Sequence, residues 1–272
     1  MSKFTGKQFT CAVCGTQRIY TVLSGTTTSG APDLDTRPGG MARRDRLHAV
    51  LCCKTCMYCA PDLSERIETT LALVPSPEYR RLLSEKGIPE LARRWACWSL
   101  LLEQAGQHAA SGWAALRATC LCDDAGTAAG ADRYRAGAIE SFHRAQDAGR
   151  RFAGDRVSEQ LILVDLYRRN RRFERAIWLC QELHSSGVPE HIREVVSFQL
   201  HRAEQGDSQA YTLDDAFRYA QAPKSWLRPA EELPEQPWRQ RLRRLLGISV
   251  KIPGVPKRAL ASVGLSALGD EG

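Results

Sequence analysis

No apolar run in this 272-residue chain approaches twenty residues, so no membrane-spanning helix is expected. Nor does an apolar core follow Met1: Lys3, Lys7 and Gln8 interrupt every candidate, which argues against an export signal and for a reducing cytoplasm. In that compartment ten cysteines do not read as a disulfide framework. Catalytic signatures are missing as well. There is no P-loop, dinucleotide fingerprint or nucleophile elbow. His48, His108, His143, His184, His191 and His201 lack metalloprotease spacing, and none pairs with a motif serine or cysteine. Strand-like alternation almost vanishes after Cys59. The charge excess is modest: 38 Lys and Arg against 31 Asp and Glu permit an anionic partner without demanding one.

What the chain does have is paired cysteine. Cys11-Ala-Val-Cys14-Gly15 and Cys53-Lys-Thr-Cys56 carry the two-residue gap that lets both sulfurs of a pair reach one ion from a tight turn. Two such pairs complete a tetrahedral shell, so Cys11, Cys14, Cys53 and Cys56 are the expected ligands of one structural Zn2+. Gly15 takes a positive φ freely, whereas Met57 does so only with strain, so the second knuckle is expected to be the less regular. The 38 residues between the pairs exceed the span of a compact finger and imply a zinc ribbon carrying an excursion.

Two rival chemistries share these cysteines. A redox dithiol belongs beside a βαβ pattern, which is absent. Cys52, Cys56 and Cys59 read C-x3-C-x2-C with Tyr58 before the last, which resembles the cluster signature of radical S-adenosylmethionine enzymes. Such an iron–sulfur enzyme needs a downstream β/α barrel, and the chain beyond Cys59 reads as helices. Cys97, Cys120, Cys122 and Cys180 fall at apolar helical positions and are expected as core thiols.

Composition divides the chain into a ribbon-like domain over 1–62, a helical repeat domain over 63–221, and an extension over 222–272. Within the second, a short helix is expected from Ser64, ended by Pro75 and Pro77, and another from Pro77 to Lys86, stopped by Gly87. Pro89 opens a longer helix with Leu91, Trp95, Trp98, Leu102 and Ala105 at helical spacing. Trp113, Leu116, Cys120 and Leu121 continue the pattern to Asp123-Asp124-Ala125-Gly126, and a further helix spans Ala131 to Ala148. Leu161, Val164, Leu166 and Tyr167, then Asn170-Arg171-Arg172, then Phe173, Ala176, Ile177, Cys180 and Leu183 form a helical hairpin resembling one tetratricopeptide-type repeat. The pairs Trp95 to Asp124 and Glu190 to Tyr219 have compatible lengths. The fold class is therefore mainly α, a small ribbon with short strands followed by tetratricopeptide-like helices.

Ser29-Gly-Ala-Pro-Asp-Leu-Asp-Thr-Arg-Pro38, Cys53-Lys-Thr-Cys56-Met-Tyr58-Cys-Ala60-Pro-Asp62, Cys122-Asp123-Asp124 and Phe198-Gln199-Leu200 together resemble an uncharacterised bacterial family, over roughly residues 9 to 220. Its members join a cysteine ribbon to a tetratricopeptide-like domain. The resemblance implies this fold and favours Cys53 and Cys56 over Cys52 and Cys59 as ligands, but it implies no activity. Members commonly carry glycine after the second pair, where this chain has Met57.

The remaining candidates are polar. Asp33, Asp35 and Arg37 lie in the insertion and are candidates for binding a partner, against the simpler reading that Asp caps turns and Arg37 pins the loop. Asp123 and Asp124 could act as acid and base, but their place at a helix end points to capping. Arg168, Arg169, Arg171 and Arg172 crowd a hairpin turn beside Arg175. Arg239, Arg241, Arg243 and Arg244 lie on a candidate amphipathic helix in the extension, suited to a protein, an anionic surface or its own body. The expected function is a non-catalytic, zinc-stabilised adaptor or scaffold whose helical repeats bind another protein. The alternative is a nucleic-acid-binding protein using the ribbon and arginine clusters, and a third class is an enzyme of iron–sulfur or carboxylate type.

Overall fold

The computed structural model describes residues 2–221. The candidate helix carrying Arg239, Arg241, Arg243 and Arg244 lies outside them. Strands β1 (Lys3–Thr10) and β2 (Gln17–Gly25) form an antiparallel hairpin closed by the first knuckle, in a register that sets Phe9 opposite Arg18 and Lys7 opposite Tyr20. The chain then makes the excursion, which ends in a single helical turn, α1 (Ala42–Asp45), and a 3-10 turn at Arg46–Ala49. Two-residue strands β3 (Leu51–Cys52) and β4 (Cys59–Ala60) flank the second knuckle. Among the described residues, the named elements after it are all helices: α2 (Thr70–Leu73), α3 (Pro77–Ser84), α4 (Glu90–Gln104), α5 (His108–Asp124), α6 (Ala128–Asp147), α7 (Arg156–Arg169), α8 (Phe173–Ser185), α9 (Glu190–Glu204) and α10 (Leu213–Gln221).

The mainly-α expectation holds, and so does the order of the long helices. Three residues separate α4 from α5, α5 from α6 and α7 from α8, which obliges each pair to pack antiparallel. At Gly112 on α5 an added Cβ would lie 2.5 Å from the Phe142 ring on α6, so these two helices approach as closely as they do only because that side chain is missing. The helix expected from Ser64 shrinks to the single turn α2. Its residues are engaged elsewhere: Leu63 O accepts from Ala12 N at 2.8 Å, Glu65 O from the Tyr58 hydroxyl at 2.8 Å, and Ser64 N donates to Asp62 Oδ1 at 2.7 Å. The ribbon thereby holds this stretch in turns rather than a helix.

One apolar core runs from the hairpin into the first long helices, through Phe9, Tyr58, Leu63, Tyr79, Trp95 and Leu101, all buried. Each such side chain contributes about 1.5–3 kcal/mol by leaving water. Trp95 also donates Nε1–H to Leu47 O at 2.8 Å, fixing α4 to the 3-10 turn. Thus the boundary expected at residue 62 is crossed by shared packing, and residues up to Phe217 form one compact unit.

Polar groups carry the second connection. Residues 33–37 fold into a tight turn, with Asp33 N donating to Arg37 O at 2.8 Å, Thr36 N to Asp33 O at 2.8 Å and Arg37 N to Asp35 Oδ1 at 3.0 Å. The turn is stitched to the chain before α10: Leu34 N donates to Tyr211 O and Leu213 N to Pro32 O, each at 2.9 Å. Its side chains then enter the helices. Arg169 on α7 donates to Asp35 at 2.8 Å and to Asp123 at 2.5 Å, Arg135 on α6 binds Asp123 at 2.8 Å, and Arg37 binds Asp124 at 2.5 Å. Arg168 donates to Asp165 at 2.6 Å and to the carbonyls of Asp207 and Gln209 at 2.9 and 2.8 Å. Arg43 with Asp33, and Asp132 with Arg135 and Arg171, complete the set. Six aspartates balance six arginines, so the network is closed on itself and leaves no net charge for a ligand.

Burial pushes the Asp35 carboxyl up, while Arg169 first and the Arg37 N–H and guanidinium after it draw it back. Removing the Arg169 fork leaves a buried carboxylate with its ion pair broken and the Arg37 N–H as its remaining hydrogen bond. Arg169→Met is therefore expected to cost about 3–5 kcal/mol in denaturant unfolding. Arg171→Ala, which breaks a bridge at the surface, should cost about 1 kcal/mol or less.

Candidate metal centre

Both knuckles are the same turn. Cys11 N donates to Thr16 O at 3.0 Å and Gly15 N to Cys11 O at 2.8 Å; in the second, Cys53 N donates to Tyr58 O at 2.7 Å and Met57 N to Cys53 O at 2.9 Å. Gly15 has φ 72° and Met57 has φ 68°, so the expectation of an irregular second knuckle is corrected: Met57 adopts the left-handed conformation despite its side chain.

The reason lies behind the turn. Met57 O, turned inward by that conformation, accepts the Tyr79 hydroxyl at 3.1 Å and the Cys59 and Cys52 thiols at 3.5 and 3.7 Å. Tyr79 in turn accepts from Cys59 N at 2.9 Å. Contact with Cys59 and burial push the Cys52 thiol far up, so it stays a donor. Three donors from α3, β3 and β4 thus offset what a left-handed non-glycine residue costs, about 1–2 kcal/mol.

The four knuckle sulfurs converge. Cys11 and Cys56 lie 3.6 Å apart, as do Cys14 and Cys53, and all four sulfurs fall within 4.8 Å of one another. A tetrahedral shell with metal–sulfur bonds of about 2.3 Å places its sulfurs ~3.8 Å apart, so the donor set fits a thiolate-loving ion. Among the described residues it is the one cluster of this kind. Cys11 and Cys53 are buried, Cys56 is half-buried, and Cys14 is exposed. Hydrogen bonds from the Thr16 hydroxyl and backbone hold the Cys14 thiol down at about 6, while burial pushes Cys11 and Cys56 up. A metal displacing those protons removes the repulsion that four crowded thiolates would otherwise feel.

The three cysteines of the iron-cluster pattern do not converge. Cys56 joins the four-sulfur group, whereas Cys52 and Cys59 aim at Met57 O. Cys97, Cys120, Cys122 and Cys180 are buried in helices, as their spacing implied.

The other sequence candidates are distributed unevenly. Asp33, Asp35 and Arg37 are buried and occupied within the ionic network, as are Arg168 and Arg169. Arg171 is exposed and paired with Asp132, and Arg172 is exposed at the start of α8. Asp123 and Asp124 accept from Arg135, Arg169 and Arg37 rather than capping the next helix. Arg135 joins the same network from α6, and its one sequence signal is its place on the inner face of an Ala- and Gly-rich helix.

No family model, curated protein or solved structure matches this chain. The structure itself shows the four-cysteine cluster near the N-terminus with its small strands, followed by the helical region.

Replacing Met57 isolates the backbone strain. Met57→Gly should be more stable than Met57→Ala by about 1 kcal/mol in chemical unfolding of the metal-loaded protein, because both lose the side chain beyond Cβ and only glycine relieves the φ.

Proposed function

We propose that this protein is a zinc-stabilised, non-catalytic adaptor or scaffold whose tetratricopeptide-like helices bind another protein. The observation that carries the reading is the closed donor set: four cysteine sulfurs fill a tetrahedral shell and leave no position for a substrate or a reactive water. A zinc ion held this way is a fastener, worth on the order of 10 kcal/mol to the fold it closes.

The helical body offers a surface for such a partner. Arg172, immediately before α8, and Arg175 and Trp178 on it follow one another at three-residue intervals, all exposed, with Trp178 at 41% and neither arginine in an ion pair among the described residues. Tryptophan and arginine are the side chains that most often dominate protein interfaces. Glu174 and Glu182 flank Trp178 one turn away on either side, a mixture of charge that suits a protein better than a polyphosphate. With Arg168 and Arg169 committed internally, the arginine-rich turn keeps only part of its sequence charge for any partner.

Elemental analysis of anaerobically purified protein should give one zinc per chain and no iron. Cys56→Ser should lose the metal, and Cys59→Ser should retain it. Stoichiometric iron with sulfide, or metal lost from the Cys59 variant alone, contradicts the assignment. For the helical surface, Trp178→Ala combined with Arg175→Glu should abolish recovery of a stoichiometric protein partner from the native cell while leaving zinc content unchanged. A complex that survives this pair of substitutions contradicts the surface.

A further inference from the structure

Four buried arginines are each matched to a carboxylate: Arg37 to Asp124, Arg135 to Asp123, Arg168 to Asp165 and Arg169 to Asp35. Arg117, on α5, is not. Among the described residues its guanidinium makes no ion pair and no hydrogen bond; it lies over the Trp95 ring, with Cζ 4.7 Å from the centroid. Trp95 also brings a second cation to the same place. Its Nε1–H donates to Leu47 O at 2.8 Å, which seats the 3-10 turn on this indole, and the charge of Arg46, the residue before Leu47, reaches Arg117. Arg46 is exposed and likewise has no ion pair among the described residues. Two unpaired guanidiniums, one from the 3-10 turn and one from α5, are thus gathered at one tryptophan.

Among the described residues no carboxylate offsets the charge at Arg117. Burial pushes its guanidinium down, the like charge of Arg46 pushes the same way, and the group acting in the opposite direction is Cys120. Cys120 is a buried thiol pushed up to about 12, so it stays neutral and supplies no counterion. Asp45, beside Arg46 in the chain, accepts instead from Ser2 and Thr26. Arg117 nevertheless remains open to solvent. A cation crowded by protein that still reaches water lies in a recess. Holding a second cation next to it costs stability unless an anion enters to offset both.

We propose that Arg46 and Arg117 form a binding site for a phosphate monoester where the 3-10 turn meets α4 and α5. A guanidinium laid on an aromatic face keeps its fork of N–H groups free in its own plane, and that fork matches a phosphoryl group. Charge selects the class of ligand. A phosphate monoester carries about −1.5 to −2 at neutral pH and offsets both cations, whereas a carboxylate or a phosphodiester, with a single charge, leaves one uncompensated. The site shares no residue with the α8 surface, so either can fail alone.

The test is a titration of the full-length, zinc-loaded chain, at fixed ionic strength, with inorganic phosphate, O-phosphoserine and acetate. It is followed by the NMR signals of the Arg46 and Arg117 Nε–H groups, each assigned by its loss in a variant. Both signals should move together and saturate with phosphate and with O-phosphoserine, and acetate should bind more weakly. Arg46→Gln and Arg117→Met should each weaken phosphate binding at least about tenfold, the loss of one charge-assisted contact, with zinc content and far-UV dichroism unchanged. Arg46 is exposed, so its variant keeps the test intact where Arg117→Met disturbs the packing on Trp95. Arg172→Glu with Arg175→Glu should leave affinity within about twofold. A phosphoserine peptide that binds more tightly than O-phosphoserine places the ester on a protein partner, and one that binds no more tightly places it on a small molecule. No saturating response to phosphate overturns the proposal, as does binding that survives Arg46→Gln undiminished. Acetate binding as tightly as phosphate, or oligothymidylate that displaces O-phosphoserine and binds more tightly, overturns it in favour of a carboxylate or a nucleic acid.

Discussion

The Arg169 guanidinium, held against Asp35, Asp123 and Asp165, is the interaction on which the rest of the structure depends. Its three carboxylates come from the ribbon insertion, from the end of α5 and from α7 itself. A buried charge is tolerated where it is paired with an opposite one, so losing one member of the network leaves its partner's charge uncompensated. That every cation in it is arginine follows from the geometry: a planar fork can bind two carboxylates at once, whereas an ammonium is a single point. The insertion is thereby part of the helical array, and its Asp and Arg side chains serve the fold before any partner.

The metal centre stands on this framework. Its first knuckle is fixed by a glycine and its second by Tyr79, Cys52 and Cys59 acting on one carbonyl, so the same turn is reached by two physical routes. Cys52 and Cys59 look in sequence like spare ligands. In the structure they are hydrogen-bond donors aimed at Met57 O, and that orientation keeps them out of the four-sulfur shell. The assignment of Cys11, Cys14, Cys53 and Cys56 thus rests on where seven groups point: four sulfurs toward one another, and two thiols and a hydroxyl toward Met57 O.

What was legible in the sequence was local. Pair spacing located the four sulfurs because a knuckle is a turn of a few residues, and apolar periodicity located the long helices because each buries one stripe. Non-local partners were not legible. Arg169 and Asp35 are 134 positions apart, and Arg169 and Asp123 are 46 apart, so a run of arginines that forms part of the core read as a surface cluster. Tyr79, 22 positions after Met57, was likewise invisible as the support of a left-handed methionine. The helix expected from Ser64 failed for the same reason, since its backbone is claimed by Ala12 and Tyr58 from the ribbon.

The account treats the ribbon, its insertion and the helices as one cooperative body, with the ionic network joining them. Native-state hydrogen exchange of the zinc-loaded protein tests this most directly, because Leu34 N–H, bonded to Tyr211 O, reports on the insertion alone. The account predicts that this amide opens with the same free energy as the most protected amides of α5 and α6, that is, only through global unfolding. An amide at Leu34 that exchanges through a much smaller opening, while α5 and α6 stay protected, would contradict it.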